Sequence, residues 1–203
     1  NVSQTERIAQ LSRFRLPLST FAEMAEIARS KGAHFMASAF DLDSLDEIFP
    51  LLSAVKVASS DLDFLPLLAA AAAKGKPLVV STGMAYLGEV EQAVKTISEA
   101  GNRDIILLHC VSNYPAEPAD ANLRAMQTMA DAFNVPVGYS DHTLGISTAL
   151  AAVALGACVV EKHLTLDKQL PGPDHLSSLE PPEFRLMVEE IRSVESSLGH
   201  GRK

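Results

Sequence analysis

Six short apolar runs, each followed by a segment with helical spacing, limit this chain to one class of fold. The runs are 34–40, 54–59, 78–82, 104–112, 135–140 and 158–163. They are continuous rather than alternating, the pattern of strands buried on both faces beneath helices. Between and after them the spacing predicts helices over 19–31, 43–49, 62–74, 87–100, 122–133, 146–155 and 181–198. Thr20 and Glu23 have the spacing of a capping box for the first helix. Strand–helix alternation indicates an α/β fold with a parallel sheet. Residues 1–18 show no periodicity and read as a connecting segment, and 19–203 as one domain.

The runs end in polar residues: Ser38, Ser59, Ser81-Thr82, Ser112-Asn113, Ser140-Asp141-His142 and Lys162-His163. In parallel sheets, open or closed, the carboxyl ends of strands carry the site. A polar residue at every end predicts one site ringed by all the strands, which favours a TIM (β/α)8 barrel over a doubly wound sheet. About six βα units are present, so two more strands are expected before Asn1.

Composition narrows the partners. A net charge of −8 suggests neither a nucleic-acid surface nor an anionic membrane. The most apolar window, 149–160, is broken by Gly156 and too short to span a bilayer. Cys110 and Cys158 lie in apolar runs and read as reduced, buried thiols of a cytoplasmic protein.

The chemistry concentrates in 138–174. His142 and His163 each close a strand-like run, with Asp141 and Glu161 beside them. If the two strands are neighbours, both imidazoles emerge at one rim and can share a divalent metal. Imidazole suits Mn²⁺, Mg²⁺ or Zn²⁺ with water and substrate oxygens, and two protein ligands leave open positions. Lys56, inside Val55-Lys56-Val57, either faces inward to bind a phosphate or carboxylate, or reaches solvent from the strand start. Ser38, Ser59, Ser81 and Ser140 are helix caps taken singly and a phosphate cradle taken together. Gly83 would let the backbone approach that cradle. Asn113 and Tyr114 can shape a pocket or pack at the rim. Asp174, in the 171–174 loop, can accept from sugar hydroxyls or close a turn. His109 reads as a satisfied core histidine, His34 lies at the wrong strand end for chemistry, and His175 fits either role. The alanines at 69–73 suit close helix packing.

Several runs in order resemble the sialic acid synthase family, the N-acetylneuraminate synthases with their legionaminate and pseudaminate relatives. They are KVASSDLDFLPLL, GKPLVVSTGM, IILLHCVSNYPA, VGYSDHTLG, AVALGACVVEKHLTLD and PGPDHLSSLEP. The resemblance extends from about Ser19 to Leu198. It implies a TIM barrel that condenses phosphoenolpyruvate with an N-acylated mannosamine-type sugar, giving a nonulosonate and phosphate. By matching position, His142 and His163 are implied as ligands of Mn²⁺ or Mg²⁺. Lys56, Ser59, Ser81 and Ser140 are implied as phosphoenolpyruvate contacts, with Ser38 where the family usually has Thr. Lys56, His142 and His163 are thereby implied as the catalytic residues. Tyr114 and Asp174 are implied as contacts to the amino-sugar acceptor, with Asn113 at a position that varies. The family's first two strands, with a Glu and a second Lys, find no counterpart, nor does its C-terminal antifreeze-like domain, which completes the partner's site in a homodimer. Two other functions fit the residues: a non-catalytic barrel fragment that binds a phosphorylated sugar or a partner chain, and a metal-dependent TIM-barrel hydrolase, which would need a third His or a bridging acid.

Overall fold

The structure, a computed structural model, describes residue 12 and residues 16–201. Most of the predicted connecting segment lies outside the described residues. Helix α1 spans Leu18–Ser30, with Pro17 at its N-cap and no side-chain cap. The Thr20 amide bonds to the Pro17 carbonyl at 2.9 Å. Thr20 therefore sits inside the first turn, and the predicted Thr20/Glu23 capping box does not form. The helix ends as expected, with Lys31 at the C-cap and Gly32 at φ 71°, a conformation glycine adopts without a Cβ penalty.

Strand and helix then alternate. β1 (Met36–Ser38) leads to α2 (Leu42–Ile48), whose N-cap Asp41 accepts from the Ser44 amide at 2.7 Å. β2 (Ala54–Val57) leads to α3 (Leu65–Ala73), and β3 (Leu78–Ser81) to α4 (Leu87–Glu99). β4 (Ile105–Cys110) leads to α5 (Ala125–Phe133), and β5 (Val137–Asp141) to α6 (Ser147–Ala154). β6 (Val160–Lys162) precedes a long loop and α7 (Pro181–Leu198). Two helices start later than predicted. Residues 59–61 form a 3-10 turn before α3, and Asn122, at φ 42°, delays α5.

The six strands form one parallel sheet in sequential order, β1-β2-β3-β4-β5-β6. The order never reverses, so the sheet has no topological switch point and is not doubly wound. Side chains alternate between its faces. Val55, Val57, Leu78, Val80, Ile105, Leu107, Val137 and Tyr139 point to the helices and form the core with Leu68, Ala71, Val90, Ala93, Ile97 and Met126. The small side chains of Ala71 and Ala72, both buried, let α3 lie close on the sheet. The opposite face carries Lys56, Ser81, Ser140 and Glu161 at the carboxyl ends.

That polar face is concave. Lys56 on β2 and Glu161 on β6 lie four strand spacings apart, about 19 Å along a flat sheet. Yet Lys56 Nζ is 3.7 Å from Glu161 Oε2, which the two side chains can achieve only if the sheet curls toward itself.

No helix among the described residues is long and apolar enough to cross a membrane. Cys110 is buried and Cys158 exposed, and both are free thiols. The expectation of two buried thiols fails for Cys158, because β6 begins only at Val160 and leaves it at the sheet's amino edge.

Candidate active site

The concave face holds a cavity of about 400 Å³ at the carboxyl ends of the strands. Its lining includes Lys56, Ser59, Ser81, Ser140, Tyr114, His142 and His163, seven of the ten residues singled out from the sequence. The structure thus brings together residues from 56 to 163.

One wall gathers an ammonium, hydroxyls and a backbone amide. Lys56 points inward, its side chain 13% exposed. Its ammonium donates to Ser81 Oγ at 2.7 Å and to the Val57 carbonyl at 3.0 Å. An ammonium has three protons, and the third faces the cavity and Glu161. Ser59 Oγ accepts from the Gly83 amide at 3.0 Å and lies 3.3 Å from Cys110 Sγ. Gly83 must lack a side chain here. A Cβ would collide with Ser112 Oγ and come within 2.9 Å of Ser59 Oγ and 3.1 Å of Cys110 Sγ.

The opposite wall carries the histidines. β5 and β6 pair in parallel register, Ser140 beside Glu161 and Asp141 beside Lys162. The residues that follow, His142 and His163, therefore emerge together, with ring centroids 5.4 Å apart. Tyr114 closes the cluster, its ring 4.1 Å from His142 and 5.5 Å, edge-on, from His163. His142 Nδ1 lies 2.6 Å from the Val111 carbonyl. A carbonyl only accepts, so Nδ1 carries the proton and Nε2 the lone pair. Burial pushes the His142 pKa below the ordinary histidine value, against the upward pull of the Val111 carbonyl. Ser140 Oγ is 3.4 Å from that Nε2 but gives its proton to Glu161 Oε1 at 2.6 Å, so the Nε2 lone pair is left facing the cavity. A backbone carbonyl that fixes the tautomer of a ring is the usual support of a metal-bound histidine. The donor set thus fits a divalent cation with open coordination positions. Among the described residues no cluster of three or more His, Cys, Asp and Glu has metal-binding geometry, so water or substrate oxygens would complete the shell.

The acids beside the histidines divide by strand alternation. Asp141 turns to the helix side, where it pairs with Lys162 Nζ at 2.8 Å, both side chains fully buried. Its other oxygen accepts from Thr143 N and Oγ1 at 2.9 and 2.8 Å. It therefore serves the scaffold behind the rim, not the cavity. Glu161 turns inward and is, among the described residues, the one carboxylate in the cavity lining.

Three predicted residues lie elsewhere. Ser38 ends β1 in register with Lys56 but lines a neighbouring groove with Phe21, Asp41 and Ser44. Asn113 is exposed, and Ser112 before it takes the place in the cavity lining. Asp174 does not line the cavity, but its charge reaches Tyr114. Burial, followed by the charges of Cys110, Asp174 and Glu161, raises the Tyr114 pKa, so the phenol remains a donor. His109 behaves as expected of a core histidine: Nε2 meets the Ala121 carbonyl at 2.9 Å, and burial lowers its pKa. Glu161 as a cavity residue was within reach of the sequence, since it lies two positions before His163 and shares its face. Ser112 had the weaker signal of a hydroxyl at a strand end, and Cys110, in an apolar run, had none.

Comparison with known proteins bears on the family of the chain. The chain is 48% identical over 185 residues to N,N'-diacetyllegionaminic acid synthase of Legionella pneumophila, an alignment covering 89% of this chain and 52% of that protein. It is 43% identical over 200 residues to N,N'-diacetyllegionaminic acid synthase of Campylobacter jejuni, covering 97% of this chain and 60% of that protein. The crystal structure of N-acetylneuraminic acid (sialic acid) synthetase from Leptospira borgpetersenii in complex with citrate superposes with a TM-score of 0.93 at 37% identity, covering 98% of this chain and 70% of that one. The chain spans a little over half the length of the curated relatives it matches. The profile of the NeuB family matches residues 1–203, and with these relatives it establishes that the chain belongs to the NeuB family.

Proposed function

We propose that the six strands are part of a (β/α)8 barrel whose site condenses phosphoenolpyruvate with an N-acylated mannosamine-type sugar, giving a nonulosonate of the sialic acid type and inorganic phosphate. One observation carries the reading. The Lys56, Ser59 and Ser81 wall and the His142/His163 pair face one cavity, so an enol phosphate and an aldehyde oxygen can be held side by side.

In this reading the phosphate of phosphoenolpyruvate takes the third proton of Lys56 and the hydroxyls of Ser59 and Ser81, with Ser140 nearby. His142 Nε2 and His163 would hold a divalent cation, Mn²⁺ or Mg²⁺, which would supply Lewis acidity toward the aldehyde oxygen of the open-chain sugar. Tyr114 and Asp174 orient the sugar. C3 of the enol attacks the aldehyde carbon and forms the new C–C bond, and positive charge develops at C2. Water adds at C2; one of its protons passes through Glu161 to the alkoxide formed from the aldehyde oxygen, and the other leaves with the phosphate. The C2–O bond to phosphate then breaks, phosphate leaves, and the ketone of the 2-keto acid remains. Lys56 is held in place by Ser81 and Val57 before any anion arrives, and such preorganised charge is usually the largest catalytic contribution. The same reading, through the family resemblance, makes the full-length enzyme a cytoplasmic homodimer.

The test combines turnover and binding. Phosphate release from phosphoenolpyruvate is expected to depend on both Mn²⁺ and an N-acylated mannosamine. Mn²⁺ binding, read by electron paramagnetic resonance, is expected to be lost in His142→Ala and in His163→Ala. Sugar-independent phosphate release, or undiminished Mn²⁺ binding in either variant, would sink the reading.

A further inference from the structure

After His163 the chain leaves the sheet and returns at Leu179. The Leu179 amide donates to the His163 carbonyl at 2.9 Å, and the Thr165 amide to the Leu179 carbonyl at 2.9 Å. Residues 166–178 therefore form a loop pinned at its neck to the strand end that carries His163. A second tie lies inside it. His175 Nδ1 is 2.7 Å from Thr165 Oγ1, and Thr165 is only 5% exposed. The Thr165 hydroxyl gives its proton to the Asp167 carbonyl at 3.1 Å, so His175 Nδ1–H is the donor to Thr165. The imidazole is also backed by Gly172, where a Cβ would lie 2.7 Å from His175 Cδ2 and 2.8 Å from Nε2.

This clasp stands one residue from Asp174. The Asp174 carbonyl accepts from Ser177 N at 3.1 Å, Ser177 Oγ at 3.0 Å and Ser178 Oγ at 2.8 Å, with both serines buried. Its backbone is thus held on one side by serines and on the other by His175.

We propose that His175 is a positioning residue: its ring, clasped between Thr165 and Gly172, fixes the loop backbone that presents Asp174 to the acceptor sugar. The identity of the acceptor rests on the function proposed above; the clasp itself does not. His175 does not line the cavity that holds Lys56 and the serines, so its effect, passed through Asp174, should fall on the sugar and spare the enol phosphate.

His175→Ala is expected to raise the KM for the sugar about tenfold, the loss of one buried hydrogen bond, with the phosphoenolpyruvate KM unchanged. His175→Asn, whose amide nitrogen stands in for Nδ1, should restore most of the difference. Gly172→Ala should raise the sugar KM in the presence of His175 and add nothing once His175 is Ala, because the Cβ then has room. Independently of turnover, backbone amide exchange over 165–179 should quicken in His175→Ala and not in His175→Asn, with the melting temperature lowered by no more than about 3–6 °C. Equal rises in both KM values, or unaltered loop exchange in His175→Ala, overturn the proposal. If the wild-type chain shows no synthase turnover, the proposed reaction fails and the exchange result alone decides the clasp.

Discussion

Replacing Lys162 by Met probes the scaffold that sets the spacing of His142 and His163. Lys162 and Asp141 are joined at 2.8 Å with neither side chain exposed, and each immediately precedes one of the site histidines. Met fills the volume of the lysine stem but leaves a buried carboxylate without its counter-ion. Removing one partner of a buried pair costs about 3–5 kcal/mol. The two bonds from Thr143 to Asp141 still solvate the charge in part, which puts the expected loss near about 3 kcal/mol. For a chain of this size each kcal/mol lowers the melting temperature by about 2–4 °C, so a fall of roughly 6–12 °C is expected. The double variant Asp141→Asn/Lys162→Met leaves no charge unpaired and keeps an oxygen for Thr143, so it should recover at least half of that fall. Calorimetric melting of the wild type and the two variants measures both. A Lys162→Met melting temperature within about 2 °C of wild type, or a double variant no more stable than the single, would refute the argument. Mn²⁺ affinity should fall in parallel, because the strand ends carrying the two imidazoles lose their common anchor.

Other perturbations address single elements of the site. Lys56→Met should weaken phosphoenolpyruvate binding about 10- to 100-fold by calorimetry, the range of one charged hydrogen bond, and unchanged affinity would return Lys56 to a structural role. Gly83→Ala should destabilise the fold by about 1–3 kcal/mol, as expected of overpacking, and weaken the same anion, because Ser59, Cys110 and Ser112 have to move aside; a denaturant midpoint equal to wild type would contradict the close approach. Burial holds the His109 pKa below its ordinary 6.5, so just below that pH the unfolded chain binds more protons than the folded one. Stability is then full above about pH 6.5 and falls as the pH drops through the folded pKa. Urea midpoints measured from about pH 7.5 down to about pH 5 should show this slope, reduced in His109→Gln, and an equal slope in the variant would reassign it.

Much of the architecture could be read from order and period alone. The alternation of apolar runs with helical segments corresponds to the observed elements, and the parallel sheet follows from it. Boundaries moved where local chemistry intervened: Pro17 displaced the predicted cap at Thr20, and the left-handed Asn122 shortened α5. The strands looked uniformly apolar, yet they present a helix-facing side that is hydrophobic apart from the Asp141–Lys162 pair and a concave side that turns polar toward the carboxyl ends. That distinction is hidden when the run is short and the polar residues gather at its last positions.

The residue types of the site were determined by the sequence: a lysine inside an apolar run, hydroxyls at strand ends and two histidines closing successive strands. Which of them meet was decided only by the tertiary structure. The curl of the sheet brings Lys56 within 3.7 Å of Glu161, a contact that no spacing along the chain encodes. The twofold period of a strand sends Asp141 outward to Lys162 and Glu161 inward to the cavity, although both acids look alike beside their histidines. The physical reason is that a strand's local pattern names two faces, while sheet curvature and register decide which face becomes concave and which residues are opposed across it.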